Sequence, residues 1–367
     1  MPTLRFPGFT EEWQEVQFCD VVNLYRGSSP RPIIEFITHS DEGVNWVKIG
    51  DMPTTGRLVT STSERITLEG SKKSRKVSPG DLILSNSMTF GQPYVMAIEG
   101  YIHDGWFVLR DYEEKMDRDF LCNLLISPII QKQYYRLAAG GVVQNISSDL
   151  VNQVRFSLPS IAEQLQISHL LNILDERIAL QSKLIDHLKS LMDGIIDKVT
   201  AHTQNISIGD CLDCYSSTLQ EGETEEQGKY PVYGANGVCG YLDYATISAP
   251  AILVVKDGSG VGNVLYTNGD CSVVGTLNYL QPKKGVSAKF LYFVLKRFNF
   301  QPYKTGMAIP HIYFKAYSKA RIFCPEYEEQ SRTAASLSRI EDKIALEERL
   351  LSLIQEQKQY LLSAMFI

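Results

Sequence analysis

The sequence predicts a mixed α/β protein of α+β character, built as an internal pseudo-two-fold repeat of two globular units, each followed by a long helix. Three observations carry this reading. The segment Leu158-Pro159-Ser160-Ile161-Ala162-Glu163-Gln164 returns as Phe323-Cys324-Pro325-Glu326-Tyr327-Glu328-Glu329-Gln330, about 166 residues later. Behind each of these segments runs a stretch of about 40 residues with apolar side chains at alternating three and four spacing. Ahead of each lie short β-rich runs punctuated by Gly, Pro and Ser, and then a helical stretch.

In the first unit, Trp46-Val47-Lys48-Ile49, Asp81 to Ser85 and Tyr94 to Ile98 read as strands. Residues 119–126 read as helix, broken at Ser127-Pro128 and resumed to Leu137. The second unit repeats this order, with strands at Ala251 to Val255 and Gly262 to Tyr266 and a helix at Ala288 to Leu295. Asp20 and Tyr25 pair with Asp210 and Tyr215 at an offset of about 190, so the first unit carries a couple of dozen extra residues. The expected boundaries are 1–155 for the first unit, 156–200 for the central helix, 201–322 for the second unit and 323–367 for the last helix.

The helical positions Leu171, Leu174, Ile178, Ile185, Leu188, Met192, Ile195 and Val199 form one seam, with Gln181 polar within it. Leu337, Ile340, Ile344, Leu351, Ile354, Leu361 and Met365 form the other, with Glu347 and Lys358 as exceptions. A seam of this kind needs a partner helix, and mutual packing is the simplest solution; either orientation can be connected. At 1.5 Å per residue each helix is about 60 Å long.

Composition bounds the function. With 367 residues the chain suits two cores. The absence of an apolar run near 20 residues and of a secretory pattern at the start points to a cytoplasmic protein without a membrane span. Seven scattered cysteines fit reduced thiols. The net charge of -6 argues against nucleic acid, but the charge is unevenly spread: residues 201–321 carry 11 basic and 9 acidic side chains, and the acidic first unit contains Lys72-Lys73-Ser74-Arg75-Lys76. Catalytic patterns fail their own contexts. The glycine string at 258–262 lies between two strands with no helix after it, so it reads as a turn and not as a nucleotide loop. Cys211 and Cys214 lack the second close pair that a structural zinc site wants, so no metal is expected. The histidines show no nucleophile-base pattern.

Variable α/β units alternating with a Pro, a Glu-Gln pair and a long helix resemble the specificity subunit of type I restriction-modification systems. Leu4 to Trp13, Trp46 to Asp51 and Tyr230 to Gly237 add to the resemblance, which covers essentially the whole chain. It implies that the two units are target recognition domains, each reading one half of a bipartite DNA sequence. It also implies that the long helices pack as an antiparallel coiled coil that docks two methyltransferase subunits. S-adenosylmethionine would sit on those subunits, no cofactor on this chain, and nuclease/translocase subunits would complete the complex. Because the units differ in length and loops, the double-stranded DNA target is expected to be asymmetric.

Arg and Lys suit phosphates or guanine, Asn and Gln suit adenine, and small hydroxyls suit either. The candidate DNA contacts are therefore Ser28, Ser29, Arg31, Lys48, Thr55, Arg57, Lys72, Lys73, Arg75, Asn86, Ser87, Thr89 and Gln92 in the first unit. In the second they are Tyr233, Asn236, Lys256, Ser259, Tyr303, Lys304 and His311. Glu163, Gln164, Glu329 and Gln330 are candidate partner-docking residues, although a proline followed by an acidic first turn is also a good helix start. Two alternatives stay open: a small-molecule enzyme with its site between the units, and an orphan DNA-binding subunit serving a modification-only complex.

Overall fold

The computed structural model describes residues 2–53, 56–86, 91–138, 146–306 and 308–367. The chain divides into two compact units, Met1–Lys183 with Arg349–Ile367, and Leu184–Glu348.

In the first unit a five-stranded sheet runs in the order Asn23–Arg26, Trp106–Arg110, Leu82–Ser85, Pro93–Met96, Leu58–Val59. Strand side chains alternate between faces, and the core follows that period. Leu82, Leu84, Phe107 and Leu109 pack with Phe120, Leu124 and Leu171 on the helical side. Ile83, Trp106 and Val108 pack with Val47 and Val77 of a second five-stranded sheet. A sheet buried on both faces needs continuous apolar runs, which is why Leu82-Ile83-Leu84 is legible as a strand. The helices Arg118–Ile126 and Pro128–Ala138 follow, separated where expected: Ser127 is extended, as a residue before proline tends to be, and Pro128 opens the next helix.

The second unit repeats this frame. Its four-stranded sheet runs Leu212–Ser216, Leu277–Pro282, Ala251–Val255, Val264–Thr267, the same order and pairing as the first four strands above. Tyr25 and Tyr215 occupy the same outer strand of their sheets. A two-stranded pairing precedes each long helix, Gln14–Gln17 with Arg155–Leu158 and Ile206–Ser207 with Arg321–Ile322. The difference lies in the second sheet, five strands against three, and in the added strand Leu58–Val59.

Strand boundaries depart from expectation in all but one run: Asp81 to Ser85 starts at Leu82, Tyr94 to Ile98 is Pro93–Met96, and two others shift for a visible reason. The run Trp46 to Ile49 becomes the strand Val44–Val47 followed by a tight turn, because the Asp51 carboxylate accepts the Lys48 amide at 2.8 Å. The run from Gly262 starts later, at Val264–Thr267, since Gly262 has φ +91° and still belongs to the glycine turn.

The long helices are Ile161–Thr200 and Tyr327–Met365. Within the first unit they run antiparallel: Arg5 holds Glu163 while its neighbour Leu4 donates to the Ala364 carbonyl, and further along Asp175 pairs with Lys358. Within the second unit Lys189 pairs with Glu348, and the helix Ala288–Arg297 bridges Glu341 to Asp197, which again sets the two directions opposed. Leu171, Leu174, Ile185, Met192, Leu337, Ile344, Ile354 and Leu361 are buried as the heptads require. Toward the end of the first helix Ile196 is buried while Ile195 and Val199 are half-buried, a one-residue drift that the 3.6-residue turn produces against a seven-residue repeat. The polar exceptions Gln181, Glu347 and Lys358 are buried too.

Candidate nucleic-acid interface

In the first unit the candidate residues gather around the turn His103-Asp104-Gly105. The Asp104 carboxylate accepts from the Ser29 hydroxyl at 2.7 Å and faces the exposed Arg31 guanidinium at 3.4 Å; its carbonyl accepts from Asn86 at 2.9 Å and Arg26 at 3.2 Å. The Ser29 bond holds the Asp104 carboxyl below the usual range, and burial holds His103 below the usual histidine range. Ser29, Arg31 and Lys48 line one open groove over Ile33, Ile37 and Trp46, with Lys48 paired to Glu64 at 2.6 Å. Ser28, Lys72, Lys73 and Arg75 line a neighbouring basic cleft. Thr55, Ser87 and Thr89 lie outside the described residues.

The loop that carries Ser28 to Arg31 is reached through Gly27, whose amide donates to the Trp106 carbonyl at 2.8 Å. A Cβ there would lie 2.1 Å from the His103 carbonyl oxygen, so any side chain must push loop and turn apart. Gly27→Ala is expected to cost about 1–3 kcal/mol by overpacking and to impair the first unit's half of recognition. A urea denaturation series and a binding titration check the two effects.

Arg57 and Gln92 sit elsewhere. They line a cleft beside the long helices, where the Arg57 guanidinium donates to Asn123 at 2.6 Å and Asp175 at 3.2 Å. Arg57 thus holds the globular part to the helices.

In the second unit three segments converge. The strand pair Tyr230–Gly234 and Gly237–Leu242 presents Tyr233 and, at its exposed turn, Asn236. The glycine turn carries Lys256 and Ser259, and a Cβ at Gly260 would touch Ala235 beside Asn236. The hairpin of Lys304–Thr305 with His311–Ile312 joins them through the Asp257–His311 bridge and a Gly258 amide to Pro310 carbonyl bond at 3.0 Å. The glycine string is a strand-to-strand turn, with φ +95° at Gly258. Cys211 ends a short helix and Cys214 lies on the next strand; among the described residues no group of three His, Cys, Asp or Glu could hold a metal.

The docking role expected of the two Glu-Gln pairs is corrected by their burial. Glu163, Gln164 and Gln330 are buried and bonded internally, so they are not available to a docking partner; Glu329 is exposed. Gln164 accepts the Asp117 amide at 2.8 Å and donates to the carbonyls of Pro159 at 2.9 Å and Lys115 at 3.0 Å. Gln330 does the same to the Ser287 amide at 2.8 Å and the Pro325 carbonyl at 2.8 Å. Asp117 and Ser287 are the N-caps of equivalent helices, Arg118–Ile126 and Ala288–Arg297. The repeated glutamine is a clamp from long helix to globular unit. Glu163 adds Arg5 at 2.7 Å and Trp13 at 3.1 Å.

The same division of labour recurs one step along the helices. Asp175 binds Arg57 and Lys358, and at the matching repeat position Glu341 binds Tyr292 at 2.5 Å, Lys289 at 2.9 Å and Lys296 at 3.1 Å. Burial pushes the Glu341 carboxyl up, but these donors outweigh it and hold it below the usual carboxylate range. A depressed carboxylate contributes stability at neutral pH that is lost as pH falls below that range. The acid-side loss of stability should therefore shrink in Glu341→Gln, as read by urea midpoints at neutral and acid pH.

Residues 10–190 and 204–356 each match the type I restriction modification DNA specificity domain. The chain belongs to that family. It is a type I specificity subunit with two target recognition domains, mounted on a frame that repeats while their loops differ. It is 20% identical over 362 residues to the type I restriction enzyme EcoprrI specificity subunit of Escherichia coli, covering 91% of this chain and 88% of that one. Its fold is that of the type I restriction-modification S subunit from M. genitalium, with TM-score 0.69, 17% identity and coverage of 100% and 99% of the two chains. It is also similar to a chain from a structure described as the basis of complex assembly and conformational transition of the type I R-M system, with TM-score 0.57, 18% identity and coverage of 96% and 97%.

Sequence reasoning missed Asp104 as the hub of the first unit, although Asp-Gly between two strands is a turn signal. It also missed the exposed Tyr215, stacked on Tyr279 with ring centroids 5.2 Å apart.

Proposed function

We propose that this specificity subunit reads a bipartite, asymmetric double-stranded DNA target, one half with residues 1–155 and the other with 201–322, and carries no catalysis itself. The observation that carries the reading is the contrast between a repeated frame and unrepeated loops: strand order and glutamine clamp recur, while the equivalent of the Asp104 turn in the second unit, between Ser272–Val273 and Leu277–Pro282, is Val274-Gly275-Thr276 and carries no carboxylate. Half-sites read from one face of a duplex lie about 34 Å apart per helical turn, a distance within the reach of 39- and 40-residue helices.

The helices Ile161–Thr200 and Tyr327–Met365 dock two methyltransferase subunits, which hold S-adenosylmethionine, and nuclease/translocase subunits complete the complex in the cytoplasm. An exposed apolar stripe supports the docking. Ile173, Leu180, Leu184 and Leu191, and likewise Leu346, Leu353 and Tyr360, recur at heptad spacing outside the buried seam. No helix among the described residues is long and apolar enough to cross a membrane.

Reconstitution tests the proposal. With labelled S-adenosylmethionine the chain alone should transfer no methyl group to DNA, and should direct methylation once its modification subunits are added. Leu180→Asp with Leu353→Asp should abolish assembly while leaving the circular dichroism spectrum unchanged. Methyl transfer by the chain alone, or assembly indifferent to the stripe, would refute it.

A further inference from the structure

We propose that Lys73 and Arg75 form a phosphate clamp, by which the first recognition unit grips the DNA backbone without reading its sequence. The inference rests on the DNA-reading function above and assigns these two side chains a different task from the loops around Asp104.

Five cations border the cleft beside Ser28, but they are not equivalent. Lys72 is paired to Glu69 at 3.1 Å, Lys76 to Glu99 at 2.8 Å and Arg110 to Asp81 at 3.0 Å. Among the described residues Lys73 and Arg75 have no carboxylate within ion-pair distance. Both are nevertheless held in place by aromatic rings. The Lys73 ammonium lies 4.6 Å from the Phe36 ring centre, and the Arg75 guanidinium 5.4 Å from that of Tyr25. Arg75 Nε donates to the Arg26 carbonyl at 2.6 Å, and the Lys73 carbonyl accepts the Ser28 hydroxyl at 2.9 Å.

These contacts fix both cations while leaving their charge uncompensated. With Nε engaged, the two Nη groups of Arg75 remain as a planar fork that matches two oxygens of a phosphate. Lys73 is a point charge with no directional pattern of its own, which suits the oxygens of a phosphate. Three neighbours already neutralised by Glu69, Glu99 and Asp81 add little attraction, so the pull of the cleft concentrates on this pair.

The test uses the full chain assembled with its modification subunits, a duplex bearing the mapped target and one with both half-sites scrambled. Affinities are measured across a salt series for wild type, Lys73→Gln with Arg75→Gln, and the charge-preserving Arg75→Lys. For phosphate contacts the double variant should weaken binding to both duplexes equally and flatten the slope of log affinity against log salt by about 2, while Arg75→Lys keeps the wild-type slope. A double variant with unchanged slope overturns the clamp and leaves target reading intact. Relaxed preference at a single base pair, with scrambled-duplex binding untouched, overturns it in favour of base reading. If wild type itself does not distinguish target from scrambled duplex, both the clamp and the DNA-reading function fall.

Discussion

Replacing Gln164 by alanine is expected to destabilise the first unit by about 3–5 kcal/mol, the sum of a small cavity and several buried polar groups left without partners. The side chain is fully buried and satisfies one amide and two carbonyls, at Asp117, Pro159 and Lys115. No water can replace it at that depth without opening the junction between the helix Arg118–Ile126 and the long helix. Gln164→Glu keeps the shape but turns the donating Nε2 into an acceptor facing two carbonyls, so it should be no milder at neutral pH. Gln330→Ala loses two bonds in place of three and should cost less, about 2–3 kcal/mol. The effects should also be local. Hydrogen exchange should rise within Met1–Lys183 for the first variant and within Leu184–Glu348 for the second. A loss below about 1 kcal/mol, or an even rise along the chain, would show that the repeated Pro and Glu-Gln segment is only a helix start.

The second large effect concerns target geometry. Deleting residues 180–186 together with 346–352 removes one heptad from each helix at matching positions, shortening each by about 10 Å. The seam stays in phase because a whole heptad is removed: Ile178 is then followed seven residues on by the buried Met192, and Ile344 by the buried Lys358. The spacer between half-sites should shorten by about 3 base pairs, with both half-sites unchanged. Sequencing of methylated positions reads this directly. Altered half-sites would mean that the helices, and not the globular units, take part in reading.

The frame was legible in the sequence because its signals are local and periodic. The apolar run Ala251 to Val255, the break at Ser127-Pro128 and the two heptad seams each follow from residue type and spacing. What Gln164 and Gln330 do was not legible, because their partners are backbone atoms up to 49 residues away, and hydrogen bonds to backbone leave no trace in side-chain identity. Arg57 misled for a related reason: an arginine after a glycine loop reads as a free cation until the fold sets Asn123 and Asp175 beside it. The candidates of the second unit, spread from Tyr233 to His311, were named singly. Only the strand pairings show that they share one end of that unit.

Mapping the methylated positions across a genome carrying this chain with its modification subunits is the most direct test. Two recognition domains with unlike loops on a repeated frame should yield two unlike half-sites separated by a fixed run of unspecified bases. A palindromic or uninterrupted site would contradict two separate readers, and so would methylation that does not depend on this chain.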